Sequence, residues 1–95
     1  MSAPSQKRKI PAVRNIVGLE IRRIREAKGW SQSDLARSLQ LAGWDVDRTV
    51  LTKIELRRRC ITDYELLILA KVLGTNLNEF VPRRVKFDGF YGDCP

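Results

Sequence analysis

Ninety-five residues make one small domain, with little room for a second. Lys and Arg outnumber Asp and Glu by 18 to 11, giving a net charge of +7 and a pI near 10.0, a balance that suits a polyanionic partner, of which nucleic acid is the commonest. There is no histidine, and Cys60 and Cys94 form no C-x-x-C pair, so a Cys/His zinc site is excluded, and no apolar run approaches the ~20 residues of a membrane span.

Residues 1–14 are rich in Pro, Ser, Lys and Arg and read as a flexible basic arm. No apolar stretch follows Lys7, Arg8 and Lys9, so the arm is not a secretory signal, and a cytoplasmic protein with reduced thiols is expected. Asn15 is the expected cap of a first helix running to about Lys28, with Ile16, Val17, Ile21 and Ile24 at helical spacing and Gly29 as its stop. Ser31 caps a second helix, with Asp34 at the capping-box position and Trp30 and Leu35 as a hydrophobic staple. This helix is expected to end between Gln40 and Gly43.

Asp47 caps a third helix, with Val46 and Leu51 as its staple and Leu51, Ile54 and in part Val50 facing inward. Two short capped helices in series on a basic chain suggest a helix-turn-helix, whose second member lies in a DNA groove. After the arginine run Arg57, Arg58, Arg59, a second capping box (Thr62 and Glu65) opens a fourth helix. It is apolar nearly all round and is expected at the centre of the core. Asn76 and Glu79 spell a third box before a short fifth helix with Leu77, Phe80 and Val81, which Pro82 ends. Residues 82–95 form a tail with Phe87, Phe90 and Tyr91, a candidate dimerisation or partner segment.

Three runs carry a family resemblance: A-K-G-W-S-Q-S-D-L-A-R-S-L (27–39), V-D-R-T-V-L-T-K-I-E (46–55) and L-L-I-L-A-K-V-L-G-T-N-L-N-E-F (66–80). Together they resemble the phage-repressor-like (Xre/Cro-type) helix-turn-helix family over residues 16–81. The resemblance implies an all-α, five-helix lambda-repressor-like domain over 15–81, with helices 2 and 3 as the helix-turn-helix. It implies a regulator of transcription that binds double-stranded DNA, commonly as a homodimer on an inverted repeat.

The resemblance also assigns roles. Gln32 matches a glutamine that contacts the DNA backbone from the start of the second helix, where phosphate is favoured. Arg48, Thr49, Thr52 and Lys53 match the exposed face of the recognition helix. Arg48 is placed for a guanine edge, Thr49 and Thr52 for a thymine methyl or a phosphate, and Lys53 for phosphate. Arg59 matches a basic residue, and with Arg57 and Arg58 it is a candidate phosphate contact. Glu55 and Arg25 match a glutamate–arginine pair of structural rather than DNA-reading function.

The match breaks in two places. Leu41 to Asp45 add about one turn of chain between the second and third helices, either as a longer helix or as a bulging loop. Trp44 within it packs on the core or lies at a dimer surface. Arg57 stands where the family usually has glycine.

The leading expectation is a small stand-alone, sequence-specific transcriptional regulator, a repressor acting as a homodimer. The alternative is an antitoxin-type protein that holds a protein partner through 82–95 and autoregulates its promoter. No nucleophile–base constellation, metal-ligand spacing or phosphate loop is present in the sequence, so an enzyme is not expected, and neither is a cofactor.

Overall fold

A computed structural model describes residues 13–82. Four α-helices follow one another: α1 (Gly18–Ala27), α2 (Gln32–Leu41), α3 (Arg48–Glu55) and α4 (Asp63–Leu73). A four-residue 3₁₀ helix, Leu77–Phe80, closes the series. The basic arm up to residue 12, and the tail beyond Pro82 with its proposed dimerisation and partner roles, lie outside the described residues. Arg14, expected in the arm, is tied to the fold: its N–H donates to the Arg57 carbonyl at 3.0 Å.

Local chemistry sets the helix starts. Ser31 Oγ accepts from Asp34 N while Asp34 accepts from Ser31 N, a complete capping box. The bond from the Ser31 backbone holds the Asp34 carboxyl below its ordinary pKa. Asp47 accepts from Val50 N, and Thr62 and Glu65 form a second complete box. These satisfy N–H groups that have no partner inside the helix.

The first helix starts later than expected. It opens at Gly18 rather than Asn15, and Val17 at the cap position offers no side-chain acceptor. Asn15 still serves the same end, because its Oδ1 accepts from Val17 N at 3.1 Å and Gly18 N at 2.7 Å. The fifth helix is a single 3₁₀ turn. Asn76 makes no side-chain cap bond, and Glu79 receives the Thr75 hydroxyl instead of reaching back to Asn76, so the third box does not form. What fixes this turn is Phe80, fully buried against the core. Its burial contributes roughly 1.5–3 kcal/mol, more than four residues gain from helix formation alone.

The core gathers Ile21 of α1, Leu35 and Leu39 of α2, Leu51 and Ile54 of α3, Leu69 of α4 and Phe80. The fourth helix is not enclosed on all sides as its composition suggested. Leu69, Ala70 and Leu73 are buried, but Tyr64 is 69% and Leu67 54% exposed. Their side of α4 has no covering element among the described residues.

The insertion is a loop, not a longer helix. After Leu41 the chain turns at Gly43 (φ 106°), a backbone conformation costly for any residue with a β-carbon. Trp44 N then donates to the Leu39 carbonyl at 3.0 Å, and Gln40 Nε2 spans the loop to the Val46 carbonyl at 2.7 Å. Trp44 packs partly buried against the core, with the Arg59 guanidinium over its ring at 5.9 Å. Cys60, expected as a reduced thiol, is disulfide-bonded. Cys94 lies outside the described residues.

Candidate nucleic-acid interface

The residues of α3 separate into a buried side and an exposed side, with Val50 and Thr52 between them. Leu51, Ile54 and Glu55 are buried, while Arg48, Thr49 and Lys53 are exposed and Thr52 is half-buried. The exposed set follows from helical spacing, since every third or fourth residue shares a side. Arg48, Thr49, Thr52 and Lys53 line a shallow groove of about 560 Å³ together with Leu56 and Arg58. Its walls offer guanidinium, ammonium and hydroxyl groups and no carboxylate. Such a surface suits an anion with hydrogen-bonding edges.

The inner side of α3 is wired to α1 and α2. Arg25 Nε donates to Glu55 Oε2 at 2.8 Å and Arg25 Nη2 to Glu55 Oε1 at 3.0 Å. The two residues are 7% and 3% exposed. The bonds that Arg25 donates to Glu55 raise the Arg25 pKa above its ordinary value, against the lowering effect of burial. Gln32 Nε2 donates to Glu55 Oε1 at 3.0 Å, and Thr52 Oγ1 stands 3.0 Å from Gln32 Oε1. Gln32 therefore joins the buried ion pair to a side chain of the groove.

The arginines after α3 have different surroundings. Arg57 adopts φ 64°, the left-handed conformation that glycine occupies without strain. Arg58 is exposed and contributes to the groove. Arg59 is engaged within the protein: Nη1 donates to the Cys60 carbonyl at 2.9 Å and to Glu65 Oε1 at 3.0 Å, and Nη2 to Glu65 Oε2 at 3.2 Å. Burial pushes the Glu65 carboxyl pKa up, but bonds from Arg59 and Thr62 outweigh it and hold the group below its ordinary value.

The profile of the helix-turn-helix family matches residues 21–80, which hold both helices of this arrangement. The chain belongs to the Xre/lambda-repressor-like helix-turn-helix family. It is similar to the restriction-modification controller protein C.AhdI from Aeromonas hydrophila, at 30% identity and a TM-score of 0.59, over 67% of this chain and 86% of that one. The hypothetical transcription factor NHTF from Neisseria matches at 26% identity and a TM-score of 0.62, over 85% of this chain and 87% of that one. The DNA-binding domain of BldD shares the fold, at 24% identity and a TM-score of 0.62, over 74% of this chain and 94% of that domain. No curated protein matches the chain. Family and structural relatives together make it a DNA-binding transcriptional regulator.

Within this helix-turn-helix domain, the sequence left two supports of α3 unseen. Asn15 is buried, and its Nδ2 donates to the Ile54 carbonyl at 3.1 Å and the Arg59 carbonyl at 2.8 Å. It clamps the C-terminal end of α3 and the arginine loop to the start of α1. The Gln32–Thr52 contact likewise joins residues far apart in the chain, which no local spacing announces. Leu56, 49% exposed at the groove edge, was also unmarked by any motif. No helix is long and apolar enough to cross a membrane, and no group of three metal-ligating side chains gathers, among the described residues.

Proposed function

We propose that this protein binds a specific double-stranded DNA sequence as a homodimer on an inverted repeat, and represses transcription by occupying its site. The observation that carries the reading is the undivided basic and hydroxyl-bearing face of α3, held from behind by a buried ion pair. In this reading α3 enters the major groove. Arg48 takes a guanine edge, Thr49 and Thr52 face bases, and Lys53, Arg57 and Arg58 meet phosphates. Gln32 keeps one amide N–H beyond its bond to Glu55, enough for a phosphate oxygen next to the N-terminus of α2. Arg59 is kept back as a structural tether to Glu65 and Trp44.

A single α3 offers too few base-facing side chains to pick one site out of a genome, and a second copy doubles that number. The exposed apolar residues Leu41, Tyr64 and Leu67 supply surface suited to pairing of two copies. Repression needs nothing more than occupancy of a promoter.

Selection from a random duplex library, with wild-type protein and Arg48→Ala in parallel, tests the reading. The expected result is an inverted repeat with half-sites about one helical turn apart, ~34 Å, and a guanine preference that relaxes in the variant. No enriched sequence from folded wild-type protein would refute it.

A further inference from the structure

The hydrogen bonds behind α3 have a fixed polarity, and it runs outward to the groove. Arg25 can only donate, and Glu55 as a carboxylate can only accept. The Gln32 amide must therefore turn its NH₂ to Glu55, at 3.0 Å. Its carbonyl oxygen is then the atom that faces Thr52. Two acceptors, Gln32 Oε1 at 3.0 Å and the Arg48 carbonyl at 2.9 Å, stand within reach of the Thr52 hydroxyl. A hydroxyl has one proton. Whichever of the two acceptors takes it, the proton points into the protein, and lone pairs remain on the groove side.

We propose that Thr52 is a specificity-determining residue that reads DNA as a hydrogen-bond acceptor, selecting an exocyclic amino group, adenine N6 or cytosine N4, on the strand it faces. The inference rests on the proposed placement of α3 in the major groove. Guanine O6 and thymine O4 are acceptors there, as are phosphate oxygens, and each would meet the Thr52 oxygen lone pair to lone pair. Of the contacts that the family resemblance allowed Thr52, the phosphate is therefore set aside. The buried ion pair acts at a distance, by choosing which end of Gln32 faces the groove. Gln32 is in this sense a positioning residue for Thr52.

The test uses the full chain and the duplex recovered by selection. Wild-type, Thr52→Val and Thr52→Ser proteins, with folding checked by circular dichroism, are each selected against the random library. The wild type is expected to enrich adenine or cytosine over guanine or thymine at one position of each half-site. Thr52→Val should lose that preference by about two- to tenfold, the worth of one net hydrogen bond, and Thr52→Ser should keep it. On the recovered duplex, replacing that adenine by purine or that cytosine by 2-pyrimidinone removes only the amino group. It should weaken wild-type binding by the same factor and leave Thr52→Val unaffected. A guanine or thymine preference at the Thr52-sensitive position overturns the inference alone, as does a selected site at which no position responds to Thr52→Val while Arg48→Ala relaxes another. If folded wild-type protein enriches no sequence, the placement of α3 falls and the inference falls with it.

Discussion

Gly18 of α1 lies against the backbone of Ile54 in α3, so close that a β-carbon on Gly18 would stand 2.2 Å from the Ile54 carbonyl oxygen. The same oxygen accepts from Asn15 Nδ2, so it has little freedom to move away. Gly18→Ala is expected to destabilise the fold by about 1–3 kcal/mol through overpacking, although alanine favours helices over glycine by about 1 kcal/mol. Urea denaturation reads the loss. A variant as stable as the wild type would show that α1 and α3 part without cost.

Removing one partner of the Arg25–Glu55 pair leaves the other charged and buried. Glu55→Ala strips the acceptor from Arg25 Nε, Arg25 Nη2 and Gln32 Nε2 together. Its expected cost is about 3–5 kcal/mol. Arg25→Met is expected to cost a similar amount, and the double variant less than the sum of the two. A double-mutant cycle in urea measures that coupling, and simple additivity would count against a coupled pair.

Arg57 holds φ 64° without the conformational freedom of glycine. Arg57→Gly should therefore gain about 1 kcal/mol of stability from relief of left-handed strain, offset in part by the greater entropy of an unfolded glycine. The same change should weaken DNA binding at low salt, if Arg57 meets a phosphate. Thermal unfolding and fluorescence anisotropy separate the two effects. A loss of stability would mean that the Arg57 side chain contributes more than its backbone costs.

The helices could be read from the chain because their signals are local. Ser31 with Asp34, Asp47 ahead of Val50, and Thr62 with Glu65 each spell a cap within four residues, and all three form. Asn76 with Glu79 spells the same box and fails, because Thr75 competes for the Glu79 carboxylate. The exposed face of α3 follows from spacing once Leu51 and Ile54 are placed in the core. The Asn15 clamp on Ile54 and Arg59, and the link from Gln32 to Thr52, depend on how the helices meet in space. No periodicity encodes those contacts. Arg59 shows the limit from the other side: a basic run looks alike whether its members face solvent or, like Arg59, reach back to Glu65.

Glu65 makes stability depend on acid. Its folded pKa lies below the ordinary value of 4.5, so between the two the unfolded chain binds the proton more readily. This contribution is complete at pH values above 4.5 and is lost as the pH falls through the depressed folded value. Glu65→Gln should lower stability near neutral pH, where the Arg59 ion pair is missing, and flatten the acid limb of the stability profile. Urea midpoints measured from about pH 6 down to about pH 3 test this. An unchanged acid limb in the variant would assign acid sensitivity to other carboxylates.

The groove residues should separate into two classes by their response to salt. Lys53 and Arg58 are exposed cations at the groove edge, with no base-specific geometry asked of them. Lys53→Ala and Arg58→Ala are expected to weaken binding to all duplexes about equally, each reducing the slope of log affinity against log salt by about 1. Arg48→Ala should cost about 1–3 kcal/mol on the selected site and much less on random duplex, because a guanidinium bridging a guanine edge is lost only where the guanine is present. Anisotropy titrations across a salt series, on selected and random duplexes, distinguish the classes. An Arg48→Ala loss equal on both duplexes would move Arg48 from the bases to the phosphates, and with it the depth at which α3 sits in the groove.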